Sequence, residues 1–526
     1  MLTMVAAMYA DIKPRFDKDT PIAVRQSKMK RYASMSAHQP KQGGIGSQAV
    51  APMKSIGHPQ IPVVLVQFQD VKFTTACSYA INNPDSVRRY FHLHFNGDGS
   101  GNLYRGSGNW GSVSEYFRDQ SNGQFVPEYV VMGPITLNEP YSYYGKNESI
   151  TDLNINIFYR ELTQKAQDWA TQRGINWKDF DNDGDGVVDM LESIYAGYGE
   201  NACDDPNTIW PKNSYGTVTV NGIKYQSYLC TNELYSPKNP KCEGIGVICH
   251  EFGHSLGLPD FYDTNYIAYG MDYWDVMDSG CYCYGGYRPC SLSAYEREFL
   301  GWDKLVTLEA GVDQTVTVYP LTDELYRGKG YKIVNPADNN EYYVIENRQS
   351  SPAGWDTNIG RGSKTLGYLS GLLITHIHYV ESRWLANNVN TVPSHQLITV
   401  MPADGTLDSF MYYDGTDADE LRLFNSAGGD LYPGFKDVHE FKGEQQTIYG
   451  AAKYMNQPVT DIIQNEDGTI TFRFCSPEAL AIRDLNDYTA NGGKSVFDML
   501  GRRVNADKNQ LSEGIYIING KKVLVK

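Results

Sequence analysis

His250-Glu251-Phe252-Gly253-His254-Ser255-Leu256-Gly257-Leu258-Pro259-Asp260 is the stretch on which the reading of this 526-residue chain turns. Residues four apart share one face of a helix, so His250 and His254 can turn both imidazoles toward one ion. Glu251 then stands one step round, beside the ion rather than on it, where it can take a proton from an attacking water. Zinc needs a third protein ligand and an open fourth position. Gly257 can adopt positive φ, end the helix and turn the chain back, and Pro259 keeps the helix from resuming. That return brings Asp260 toward the ion. The pattern is HExxHxxGxxD, with aspartate where a commoner arrangement has a third histidine. In a second scheme the third ligand is a Glu on a later helix, which Glu296 or Glu298 would supply. That scheme gives Gly257 no purpose. A structural helix that happens to hold two histidines is the plain alternative, and the added Gly and Asp at fixed offsets argue against it.

Working outward, Tyr273-Trp274-Asp275-Val276-Met277-Asp278 looks like the Met-turn of metzincins, in which a methionine lies beneath the zinc ligands. That role falls to Met277. Upstream, residues 181–192 read DNDGDGVVDMLE and follow the calcium-loop pattern D-x-D-x-D-G-x5-E. Asp181, Asp183 and Asp185 are the first ligands, Gly186 makes the turn, Val187 offers a carbonyl, and Asp189 and Glu192 close the set. Carboxylates this dense repel one another unless a hard cation neutralises them, so a structural Ca2+ is expected. Glu192 opens the segment 190–198, which reads as a strand able to carry it away from the loop. His376 and His378 share one face of a strand, and the expected reading is a satisfied pair rather than a second metal site. His92 and His94 are read with the same restraint.

The rest of the chain sets the context. Its net charge of -16 leaves no phosphate-binding excess of Lys and Arg, which argues against a nucleic-acid partner. Tyr outnumbers Phe by 39 to 19, which favours half-exposed sheet faces. No run approaches a membrane span of ~18 apolar residues. Nine cysteines leave at least one without an intrachain partner, and disulfides across surface loops in an oxidising compartment are expected. The apolar start MLTMVAAMYA resembles the core of a signal peptide without its basic flank, so the natural start is expected upstream. Residues 11–57 are polar, basic and aperiodic.

Ile61 to Val66 reads as a buried strand, Ser112 as the cap of a short helix to about Ser121, and 149–172 as a helix with Ile155, Phe158, Leu162, Ala166 and Trp169 inward. After Trp302, alternating segments at 315–319, 342–346, 372–379, 397–401 and 469–474 suggest a β-sandwich. The last stretch, VFDMLGRRV, GIYII, Asn519-Gly520 and KKVLVK, signals hairpins. The expected architecture is multidomain α+β, with a leader or short pro-segment (1–57), a metzincin-like α/β catalytic domain (58–303), a β-sandwich (304–476) and a small C-terminal β-domain (477–526).

Across residues 59–475 the chain resembles the immune inhibitor A family of secreted bacterial zinc metallopeptidases. The blocks that carry the resemblance include VVLVQFQD, SVSEYFRDQSNGQF, DFDNDGDGVVDM, HEFGHSLGLPDFYD, WDVMDSG and LSAYEREFLGW, and in the sandwich YYVIENRQ, GLLITHIHY and VMPADG. The resemblance implies Zn2+ on His250, His254 and Asp260, Glu251 as base, Ca2+, and export as a precursor acting on protein or peptide substrates. The tail resembles a type IX secretion sorting signal, which implies that secretion machinery as a partner and a secreted or cell-surface location. The competing expectation is a surface binding or adhesion protein with an inert peptidase domain, which the intact Glu251 disfavours.

Overall fold

The computed structural model describes residues 53–442 apart from 75–76, 78–82, 149–150, 204, 324, 326 and 409–415, and residues 457–474. It also describes the strands Met8–Asp11, Val496–Asp498, Gly514–Ile518 and Lys521–Val525, and residues 502 and 504. The apolar run at Ile61 becomes the core of a mixed sheet. Its strands are β1 (Met8–Asp11), β2 (Gln60–Gln67), β3 (Glu128–Thr136), β4 (Leu191–Tyr198), β5 (Lys212–Val220) and β6 (Ile223–Ser236), in the order β1-β5-β6-β4-β2-β3. β2 pairs in parallel with β3 and β4, β4 pairs in parallel with β6, and β5 and β1 continue antiparallel to the edge. Short strands Val187–Val188 and Asn239–Cys242 also pair with β6.

Parallel strands need long crossovers, and helices fill them. α1 (Pro84–Asn96) and α2 (Val113–Gln120) join β2 to β3, and α3 (Ile155–Thr171) lies between β3 and β4. Ile61, Val63 and Leu65 pack with α1, α2 and the helix that carries His250, whereas Val64 and Val66 pack with α3 on the other face. Burial on both faces is why β2 reads as an unbroken apolar run rather than an alternating one. α2 starts at Ser112 with both hydrogen bonds of a capping box to Glu115, and Gly174 follows α3 with φ of 71°. One expected core position differs. Trp169 is only half-buried, and the α3 stripe continues instead through Ala170, leaving the indole to stack under Arg173 at 3.9 Å.

Met8 to Ala10 end the signal-like segment, and Asp11 opens the polar stretch that follows it. In the structure Met8–Asp11 adds a strand to the sheet edge, with Met8 opposite Tyr215 and Asp11 opposite Lys212. Residues 53–57, also assigned to the leader, belong to the fold, with Met53 buried, its N–H donating to the Ser255 carbonyl at 2.9 Å, and Gly57 bridged to Phe125. The remaining leader residues, and the linker reading of 477–494, lie outside the described residues.

After Trp302 the strands form two sheets over one apolar cluster. Val306–Thr307, Tyr331–Asn335, Asp338–Gln349, Ser370–His378 and Ile398–Val400 form one sheet, and Gln314–Val318, Ile470–Phe474 and Val459–Gln464 the other. Val318, Tyr343, Ile345, Ile374, Val459 and Phe472 meet between them. The other face of the larger sheet, through Tyr342, Val344, Leu373, Ile377, Ile398 and Val400, shares the cluster that holds β2 and the metal helix. These sheets therefore share a core with β2 and the helix that carries His250. A 14-residue helix, Asp417–Asp430, interrupts the strands and was not anticipated. The C-terminal strands pair antiparallel as the Asn519-Gly520 signal implied, with Ile518 opposite Lys521. Among the described residues no helix is long and apolar enough to cross a membrane.

Cys77 and Cys242 form a disulfide, whereas Cys230, Cys249, Cys281, Cys283 and Cys290 are buried thiols. The cluster expected to staple surface loops is thus mostly core packing. His94 is buried on α1 beside Asn109 Nδ2 at 3.3 Å, and burial lowers its pKa to about 4. Its folded pKa lies below the unfolded value, so the unfolded chain binds the proton first on acidification. The contribution of the neutral ring is whole above about pH 6.5 and is lost as the pH falls toward 4, by about 3 kcal/mol in all. Chemical denaturation across this interval should show a shallower loss of stability for His94→Gln than for the parent. Parallel curves would assign the loss to other groups.

Candidate metal centre

The metal helix, α4 (Gly246–Ser255), is buried on every side. It ends as the sequence implied, with Gly257 at φ 98° and the Leu258 N–H returning to the Gly253 carbonyl. The His250 and His254 rings stand edge to face at 4.8 Å. Nδ1 of His250 lies 2.8 Å from the Val276 carbonyl, and Nδ1 of His254 lies 2.8 Å from the Leu258 carbonyl. Those carbonyls can only accept, so each Nδ1 carries the proton and each Nε2 keeps its lone pair. The two Nε2 atoms face Asp260 Oδ1 at 3.1 and 3.3 Å. Donor atoms on one tetrahedral zinc stand about 3.3 Å apart. Among the described residues no further donor reaches these three atoms. Two nitrogen lone pairs and a carboxylate oxygen meeting in a buried place repel one another unless a cation lies between them, so the donor set fits Zn2+.

Asp260 is aimed by a residue distant in sequence. Asn387 accepts the Asp260 backbone N–H at 2.7 Å and donates its amide to Asp260 Oδ2 at 2.6 Å, which leaves Oδ1 for the histidines. Glu296 and Glu298 do not come to the histidines. Glu296 caps its own helix, accepting from Ser293 N and Oγ at 2.6 and 2.9 Å, and Glu298 pairs with Lys332 at 3.1 Å. Burial first, and then the neighbouring Asp275 carboxylate, push Glu296 well up.

Met277 lies under the helix. A Cβ on Gly253 would stand 2.6 Å from its sulfur, so the glycine between the two histidines is what lets the methionine approach. Asp275 accepts the Met277 N–H at 2.8 Å, and the Met277 carbonyl accepts the Phe261 N–H, tying this turn to the segment that carries Asp260. Glu251 is buried beside the histidines, and its backbone carbonyl accepts from Asn213 on β5. Tyr215, two residues on, feels the site: burial raises its phenol, and Glu251 and Asp260 raise it further. Sequence reasoning missed Gly253, Asn387 and Tyr215. Only Gly253 stood inside a recognisable motif.

The acidic loop is brought together in part. Asp181, Asp183 and Asp185 converge, each offering an oxygen within 4.8 Å of the others. Backbone N–H groups of Gly184, Asp185 and Gly186 turn in toward Asp181. Asp189 is close enough to feel Asp181 and Asp183, and its Oδ2 is held by Asn182. Glu192 is not part of the loop. It sits on β4 opposite Val63, fully buried, with burial as the sole cause raising its carboxyl. The strand carries it into the core, so the ligand expectation is corrected for this residue.

Outer partners of a metal ligand are worth ~10–100-fold in affinity. Asn387→Ala should weaken Zn2+ binding by about that factor in a competitive chelator titration, with the fold intact by circular dichroism. Unchanged affinity would mean that Asp260 needs no such support.

Residues 54–304 match the family model described as the immune inhibitor A peptidase M6 catalytic domain. The pre-pro-metalloprotease PrtV of Vibrio cholerae serotype O1 (strain M66-2) is 30% identical over 219 residues, covering 36% of this chain and 24% of its own length. Immune inhibitor A of Bacillus thuringiensis subsp. alesti is 26% identical over 370 residues, covering 59% of this chain and 53% of its own. The chain thus spans about a quarter and about half of these two relatives. The matched family is described as a peptidase, and the PrtV relative as a metalloprotease. The similarity to that catalytic domain covers just under half of the chain and includes His250, Glu251, His254 and Asp260.

Proposed function

We propose that this chain is an exported zinc endopeptidase that hydrolyses peptide bonds of extracellular proteins. The observation that carries the reading is the meeting of His250 Nε2, His254 Nε2 and Asp260 Oδ1 as three acceptors around one point. His250, His254 and Asp260 hold the ion. Bound there, zinc supplies a Lewis acid that polarises the scissile carbonyl and acidifies water. Glu251 accepts a proton from the attacking water as its oxygen bonds to the carbonyl carbon. It returns that proton to the amine nitrogen as the C–N bond breaks. Asn387 fixes the direction of Asp260, and Met277 underlies the histidines in the manner of a metzincin Met-turn. Burial of the site lowers the local dielectric and strengthens each charge interaction.

The wider reading follows the same logic. The α/β region is metzincin-like, and Asp181, Asp183, Asp185 and Asp189, with the Val187 carbonyl, bind a Ca2+ that braces β4 and β6. The Cys77–Cys242 disulfide suits an oxidising compartment. The C-terminal β-strands serve type IX export, and the product is secreted or held at the cell surface.

Casein digestion tests the chemistry. Glu251→Gln should lose ~10²–10⁴-fold in rate while keeping its zinc, and a zinc chelator should abolish the parent's activity. Equal rates for parent and variant would overturn the mechanism. For the loop, Ca2+ at a hundred times its Kd should stabilise the calcium-stripped protein by about 2.7 kcal/mol. Asp183→Asn should remove that response. A parent that melts identically with and without Ca2+ would remove calcium from the reading.

A further inference from the structure

A second group of metal-binding side chains lies at the end of the larger sandwich sheet, away from the catalytic ion. Glu341 and His378 are directly opposite on antiparallel strands and so share one face. His395 arrives from the connection 386–397. Each of the three offers a donor atom within 4.8 Å of the other two, and the cluster is only partly buried, which leaves an entry path. We propose that Glu341, His378 and His395 form a second site for a divalent transition metal, Zn2+ above all.

The partners of these groups are those a metal site needs. His378 Nδ1 and His395 Nε2 face each other at 2.8 Å. Two imidazole nitrogens at that distance must have a proton or a cation between them. On one tetrahedral zinc they would stand about 3.3 Å apart, an opening of about half an ångström that a small ring rotation provides. The far nitrogen of His378, Nε2, lies 3.4 Å from Asp338 Oδ2, the carboxylate–histidine support typical of ligating imidazoles. Glu341 is held from both sides, by His376 Nε2 at 2.9 Å and Asn335 Nδ2 at 2.6 Å, and each oxygen keeps a second lone pair for an ion. Its neighbour His376 spends Nδ1 on the Gln396 carbonyl at 3.2 Å, so His376 is the satisfied core histidine and His378 the ligand. Two imidazoles with one carboxylate suit zinc-like ions and disfavour Ca2+ and Mg2+, which take oxygen.

The site has a structural consequence for the catalytic centre. The connection that carries His395 also carries Asn387, which aims Asp260, and Asn390, which donates to the Phe261 carbonyl at 2.7 Å. Gln396, next to His395, accepts the Gly270 N–H at 2.8 Å. An ion on His395 therefore pins one end of the segment whose other end orients a catalytic ligand.

Zn2+ is titrated into the full chain with Ca2+ in excess, so that the acidic loop is saturated. The parent should bind two equivalents. His378→Ala/His395→Ala should bind one, as should His250→Ala/His254→Ala. Asp338→Asn should keep the second equivalent but weaken it ~10–100-fold, and His439→Ala, at an exposed histidine, should change nothing. In the His250→Ala/His254→Ala protein, Zn2+ should slow hydrogen exchange across residues 386–397 about tenfold. One equivalent in the parent that survives His378→Ala/His395→Ala would overturn the second site and leave the catalytic one. One that survives His250→Ala/His254→Ala instead would overturn the catalytic site and leave this one. Two equivalents retained in His378→Ala/His395→Ala would also overturn it.

Discussion

Three lone pairs pointed at one another inside a protein are a liability until something positive sits between them. Nε2 of His250, Nε2 of His254 and Oδ1 of Asp260 are in that position, and much of the surrounding structure is arranged to keep them there. The carbonyls of Val276 and Leu258 fix the tautomers. The first belongs to the turn that carries Met277, the second to the chain reversal made possible by Gly257. The helix is buried all round because it must hold both rings rigidly between a sheet and the turn beneath it.

The sandwich is part of that arrangement. Its larger sheet is covered on one face by the smaller sheet and on the other by the catalytic region, so a single apolar cluster runs from β2 through the metal helix to Leu373 and Val400. Polar contacts follow the same seam. Arg361 pairs with Asp272 at 2.9 Å, Trp274 donates to Asp430 at 2.9 Å, and Arg348, fully buried, joins Glu346 to the Ser291 carbonyl and Asp356. Buried pairs of this kind contribute little net stability over an apolar core, but breaking one partner is costly. They fix the register in which the two parts meet, and with it the reach of Asn387 to Asp260.

Local chemistry made a good share of this legible. The cap at Ser112, the positive φ at Gly257 and the pairing of Ile518 with Lys521 are decided within a few residues, so they read correctly from a short window. The spacing of His250 and His254 is likewise a property of one helix. Misses came where a neighbour distant in sequence decides. Glu192 fitted a twelve-residue loop pattern, but hydrogen bonding of β4 to β2 and β6 takes it into the core. Trp169 fitted the α3 stripe, yet the indole lies at its margin under Arg173. Cys249, Cys281 and Cys290 looked like material for staples and proved to be apolar filling.

The sequence by itself determined the two histidines on one helix face, the glutamate beside the first, the aspartate that follows the reversal and the acidic turn, because each rests on spacing within one helix or one loop. Tertiary structure alone decided which carboxylate meets the two histidines, how Asp260 is aimed and which histidine of the pair at 376 and 378 is satisfied. Asn387 lies 127 residues from Asp260, and His395 comes to His378 only through the packing of a loop across a sheet. No local periodicity records such meetings. They follow from the burial of the shared core, which brings distant segments together whatever their separation along the chain.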